Sequence, residues 1–109
     1  NLKNFIHNLE IKVLTDTNIS LLGENSAFDV FGPQKGMTLS AITTHKNNVE
    51  KLVTLIGNKL KLNLDPYKEQ SGAGGGLTFT LNQVLGCEIM NGAKYFLNGF
   101  LNLLISIFN

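Results

Sequence analysis

At 109 residues, 43% of them hydrophobic, the chain fits one domain with a core of its own and a modest reserve of stability. Nine basic against eight acidic residues give a net charge of +1, with the lysines scattered, so the basic stripe of a nucleic-acid binder is missing and a polyanion partner is not expected. The single Cys87 excludes an internal disulfide, and no charged region followed by an apolar stretch and a cleavage site opens the sequence; both features point to a reducing, cytoplasmic setting.

Leu9, Ile11 and Val13 share one face of an alternating run with Glu10 and Lys12 opposite, which predicts a strand over residues 10–15. It ends at Thr15-Asp16-Thr17-Asn18, placing Asp16 and Asn18 at a strand's carboxyl end, where open α/β sheets put ligand groups. An Asx turn that merely starts a loop accounts for the same residues. Gly23-Glu24-Asn25 reads as a turn, and Ser26-x-x-Asp29 as a capping box opening a short helix over 27–31, its positive end expected to face the Asn18 loop. Val30 to Gly36 then forms a stiff turn: Pro33 fixes φ, Gly32 and Gly36 flank it, and Gln34 and Lys35 are presented on the rigid support. Such a turn either binds an anion through the Lys35 ammonium and backbone N–H groups or is a tight turn with a solvated lysine.

Thr38 is the expected N-cap of the longest element, in which Ile42, His45, Val49, Leu52, Val53, Ile56 and Leu60 recur at helical spacing over 39–61. Lys46 and Glu50 fall on the other face, spaced to pair, and Asp65-Pro66 marks a stop beyond Leu64. His45 borders the apolar stripe with no second histidine or cysteine at ligand spacing, so it reads as a boundary or core residue, and no metal site is expected. The loop from Asp65 to Gly76 leads through Gly72, Gly74, Gly75 and Gly76 onto Leu77, Leu81, Val84 and Leu85, which suit a second helix despite the β-prone Thr78-Phe79-Thr80. Glycines ahead of a helix can cradle a phosphate, although the order here is neither the Walker lysine motif nor the dinucleotide fingerprint, and a close helix crossing or a flexible linker would use them equally well. Gly86-Cys87-Glu88 and Asn91-Gly92 isolate a short segment, Glu88 to Met90. The run from Phe96 to Phe108, interrupted by Asn98, Gly99, Asn102 and Ser106, is too short for the roughly 20 residues of a spanning helix, so no membrane association is expected. It is a buried element or an exposed stub, and self-association through it is expected when it is uncovered.

Four of these stretches carry a family resemblance. Phe31-Gly32-Pro33-Gln34-Lys35-Gly36-Met37-Thr38 resembles the FGPQKGAT signature of the bacterial glycerate kinases of the first type. Thr15-Asp16-Thr17-Asn18, Ser26-Ala27-Phe28-Asp29-Val30 and Ser71-Gly72-Ala73-Gly74-Gly75-Gly76-Leu77 are similar to three further family segments and stand in the family's order. The likeness runs from residue 4 to 97. It implies α/β architecture: a helix-rich single domain over 1–109 with a small sheet, the central portion of a two-domain glycerate kinase. A strand is expected beyond the apolar run, and family motifs that lie outside this stretch are absent, as in a fragment. The activity implied is transfer of the γ-phosphoryl of ATP to a hydroxyl of glycerate with Mg²⁺, no cofactor being held tightly by this chain. On that resemblance Asp16 and Lys35 are the catalytic candidates and Asn18, Gln34 and Gly36 the substrate-binding ones. Gly72, Gly74, Gly75 and Gly76 would form the nucleotide or anion loop. The isolated chain is expected to be inactive, and a non-catalytic truncated paralogue or binding domain is the alternative.

Overall fold

The alternating run forms β1, Lys12–Thr15, which starts two residues later than its hydropathy suggests. This is seen in a computed structural model that describes residues 4, 5 and 8–108. β1 pairs in parallel with β2, Glu88–Asn91, in a register that runs from Lys12 opposite Glu88 to Thr15 opposite Asn91. Parallel strands cannot be joined by a hairpin, so the whole middle of the chain is their crossover.

The capping box forms as the sequence requires and opens α1, Ala27–Phe31. Its Asp29 carboxylate accepts from the Ser26 N–H at 3.0 Å and from the Ser26 hydroxyl at 2.6 Å. The start of α1 is thereby filled by the chain's own groups, because the Ser20 carbonyl also takes the Ala27 N–H at 2.9 Å. An anion site at that end, suggested by the pattern, is not built. Lys46 differs from expectation too. Its ammonium leaves Glu50 and crosses to α1, donating to Asp29 at 2.8 Å and to the Gly23 carbonyl at 2.9 Å. Glu50 instead accepts the Tyr67 hydroxyl at 2.8 Å, and this contact pushes the Tyr67 pKa up.

The long helix α2 is Leu39–Leu60, capped at its start by Thr38 Oγ1, which accepts the Ala41 N–H at 3.1 Å. It stops at Lys61, whose left-handed backbone (φ +55°, ψ +46°) turns the chain away before Leu64 is reached. Ile42 and Val53 are buried on its inner face. The core joins Val53 to Leu21, Leu22 and Phe79, with Phe28, Val49 and Leu64 against them, so the long helix is pinned to the loop after β1 and to the turn behind the glycines. His45 is exposed at the edge of this face, its ring lying nearly parallel to Phe28 with centroids 6.3 Å apart.

The second helix expected behind the glycines is mostly something else. α3 spans Leu77–Phe79 and continues as a wider π-helical turn, Thr80–Val84. The Gln83 amide holds this turn by bonding both the N–H (2.6 Å) and the carbonyl (2.7 Å) of Asp65. The apolar run at the end is the exposed alternative, and it is helical: α4 covers Gly92–Phe108 and buries no residue. It begins immediately after β2, where Asn91 Oδ1 caps the Lys94 N–H at 2.9 Å. The molecule is drawn out by this helix to 58 × 36 × 18 Å, with a radius of gyration of 17.1 Å against about 13 Å for a compact domain of this length.

Candidate functional site

Three segments meet at the carboxyl end of β1, and backbone chemistry brings them there. The loop before the glycines is laced to the loop after β1 by Gln70 N–H to the Asn18 carbonyl (3.2 Å) and Gly72 N–H to the Ile19 carbonyl (2.9 Å). Ser71, fully buried between them, accepts the Leu21 N–H at 2.9 Å and donates to the Lys68 carbonyl at 2.6 Å. Position 72 must be glycine for this contact, because a Cβ there would fall 2.3 Å from the Ser20 carbonyl oxygen. Gly74, Gly75 and Gly76 then take left-handed conformations in succession (φ +64°, +68° and +100°), a path that a side chain at each step would oppose.

A cavity lies on either side of this turn. The larger, about 540 Å³, runs from Val13 to Thr17 along the end of β1 and is closed by Gly74, Leu77, Thr78 and their neighbours. Asp16 lines it. One carboxylate oxygen, Oδ1, accepts the Ala93 N–H at the start of α4 (3.1 Å), while Oδ2 has no protein partner among the described residues. Thr15, Thr17 and Thr78 bring hydroxyls to the same wall. Those of Thr15 and Thr17 accept backbone N–H groups two residues on, and Thr78, 5% exposed, makes no side-chain hydrogen bond to a described residue. The smaller cavity, about 180 Å³, is lined by Leu21, Ala27, Phe28, Phe31, Gly32, Lys35, Met37 and Gly75. Lys35 is its cation, exposed, with no partner for its ammonium among the described residues.

The structure thus places Asp16 with Gly74 in one cavity and Lys35 with Gly75 in the other, the glycine turn standing between them. Gln34 and Gly36 sit in the turn Pro33–Lys35 and at its left-handed end, and with Asn18, Gly72 and Gly76 they line neither cavity. Among the described residues no three His, Cys, Asp or Glu side chains cluster as a metal set. Among the same residues no helix is long and apolar enough to cross a membrane. The threonine hydroxyls were the part that sequence reading passed over. Thr15 and Thr17 flank Asp16 and could have been included with it, whereas Thr78 was masked by its β-prone neighbours.

The fold and site define a segment of an α/β protein that gathers a carboxylate and hydroxyl groups beyond the carboxyl end of a parallel strand, the place where open α/β sheets commonly bind ligands. A model of the glycerate kinase family matches residues 1–102, and the chain belongs to that family. It is 34% identical over 84 residues to "Glycerate 2-kinase" of Escherichia coli (strain K12), a match that covers 77% of this chain and 22% of that protein. It also superposes on a glycerate kinase 2 chain from Salmonella typhimurium LT2 with a TM-score of 0.72 and 28% identity, over 84% of this chain and 24% of that one. The chain therefore spans about a quarter of the relatives it matches.

Proposed function

We propose that this chain supplies part of the substrate site of a glycerate kinase of the first type, acting in the cytoplasm and transferring the γ-phosphoryl of ATP to a hydroxyl of glycerate. The observation that carries the reading is the pair of uncommitted charges flanking one glycine turn, Asp16 Oδ2 on one side and the Lys35 ammonium on the other. Phosphoryl transfer is chiefly positioning and charge neutralisation, and these are the two charges that such work needs. The larger cavity, with a carboxylate, three hydroxyls and no cation, suits the hydroxyl end of an acid. The smaller one, with an ammonium against apolar walls, suits a carboxylate or phosphate. Gly74 and Gly75, one lining each cavity, let a ligand approach the backbone between them, with Gly72 and Gly76 holding the turn in place.

Mg²⁺ fits this donor set, since it commonly takes one or two carboxylates and keeps several waters; Asp16 would hold it, and when bound it neutralises charge on the transferring group. Asp16 in this reading orients the acceptor hydroxyl or a metal water, and Asn18, Gln34 and Gly36 help to hold the acid from the surrounding loops. A second reading, a binding module without turnover, draws support from the engagement of Asp16 Oδ1 with α4. The exposed apolar surface of α4 is the one through which the chain self-associates.

Titration of glycerate and of ATP against the chain, followed by NMR, tests the site. Lys35→Ala is expected to weaken one of them by roughly ten-fold to a hundred-fold, the value of a charge-assisted hydrogen bond, while melting moves little. Unchanged affinity with normal melting would return Lys35 to a solvated turn.

A further inference from the structure

A threonine inside a helix commonly donates its hydroxyl proton to the carbonyl four residues back. Thr43, Thr44, Thr54 and Thr80 all do so, at 2.9–3.3 Å. Thr78, in α3, is different. The residue four back is Gly74, whose left-handed backbone (φ +64°) lies outside the helix and whose carbonyl takes the Leu77 N–H. The glycine turn thus denies Thr78 its local acceptor, and the hydroxyl makes no hydrogen bond to a described residue although Thr78 is only 5% exposed. Among the described residues no wholly covered side-chain oxygen lacks a partner, so the little surface that Thr78 keeps includes this hydroxyl, and it opens on the cavity that Thr78 shares with Asp16. A nearly buried hydroxyl that the protein itself leaves unsatisfied is a cost to the fold, carried for a reason outside its own packing.

We propose that Thr78 is a specificity residue of the Asp16 cavity, donating its hydroxyl proton to an alcohol oxygen of the bound molecule. The inference rests on the reading of this cavity as the place for the hydroxyl end of an acid, and it adds the residue that enforces that choice. Thr15 and Thr17 spend their oxygens on the N–H groups two residues on, and neither donates its proton to a described residue. The cavity therefore offers three O–H donors and one free carboxylate oxygen, Asp16 Oδ2, with no cation in its wall. A ligand must bring acceptor oxygens to such a wall, and the charge of Asp16 decides their kind. An unpaired carboxylate or phosphate would be repelled by it. A carbonyl oxygen takes the Thr78 proton but has none to give to Asp16, whereas an alcohol accepts and donates at the same atom. Val13, Leu14, Leu77 and Leu81 make the rest of the wall apolar, so the few polar groups fix which way the ligand lies.

Glycerol, a neutral triol with no carboxylate for Lys35 to engage, is the probe, titrated without Mg²⁺ into the 109-residue chain and followed by NMR at the Thr78 methyl; D-glycerate is titrated in parallel. Thr78→Val, which keeps the shape and removes the hydroxyl, is expected to weaken glycerol roughly three-fold to ten-fold, the worth of one neutral hydrogen bond. Thr78→Ser, which keeps the hydroxyl, is expected to bind as wild type does. Melting separates this role from a structural one: a hydroxyl with no protein partner can be removed without loss, so Thr78→Val should melt at the wild-type temperature or above it. A lower melting temperature for Thr78→Val, equal glycerol binding by Thr78→Val and wild type, a Thr78→Ser variant as weak as Thr78→Val, or no glycerol-induced shift at Thr78 each overturns the proposal. Glycerate weakened by Lys35→Ala but indifferent to Thr78→Val would overturn it while leaving the kinase reading standing. Glycerol held through Thr78 with no glycerate bound would uphold it and count against that reading.

Discussion

Three donors converge on one oxygen of Asp29: the Ser26 N–H, the Ser26 hydroxyl and the Lys46 ammonium. The hydrogen bond from Lys46, followed by that from the Ser26 hydroxyl, holds the Asp29 pKa below the ordinary aspartate range. A carboxylate so placed ties the cap of α1 to the face of α2, and Asp29→Ala is expected to cost about 1–2 kcal/mol, the value of a lost cap with a partly buried partner. Because the folded pKa is depressed, this contribution is complete above the unfolded value of about 3.9 and is lost as pH falls through the lower folded value. Thermal melts through that acid range should show wild type losing more stability than Asp29→Asn; parallel curves would mean that the contact is not formed in solution.

The start of α4 depends on Asp16, which gives this residue two roles that must be separated. Oδ1 caps the Ala93 N–H, and a carboxylate beside a helix start is favoured by the dipole as well. Asp16→Ala is expected to lose about 0.5–2 kcal/mol of stability with the cap. Asp16→Asn keeps an oxygen for Ala93 and removes the charge, so circular dichroism and melting should stay near wild type while any metal or hydroxyl binding at Oδ2 falls. Loss of folding in Asp16→Asn equal to that in Asp16→Ala would make the residue structural. Thr38 shows the simpler case of a cap, its Oγ1 accepting the Ala41 N–H at the start of α2.

Neither cavity is enclosed by this chain, and neither of the two holds both Asp16 and Lys35. Transfer requires donors preorganised around the moving phosphoryl group with water kept out, conditions that the two open clefts do not meet. A coupled assay with ATP and D-glycerate is therefore expected to give no turnover from the isolated chain; product formed by purified protein would overturn this. The small core and the extended α4 belong to the same picture, in which much apolar surface is left without cover.

The N-caps at Ser26 and Thr38, both helices that they open, and the strand leading to Asp16 could be read directly, because each depends on neighbours within a few positions. That the glycine run turns the chain ahead of a helix was legible for the same local reason. What pairs at long range was not. Lys46 had Glu50 in reach along its own helix, but packing α1 against α2 offered a partly buried carboxylate, where a charge pair is screened less by water. Glu88 to Asn91 showed no clear alternation, and it became a strand because β1 offered a parallel edge. The separation of Asp16 from Lys35 came from where the glycine turn lies, which is set by hydrogen bonds joining residues 18–21 to residues 70–72 across some fifty positions of chain. No local pattern encodes contacts of that span, since each exists only after the crossover has folded back onto the end of β1.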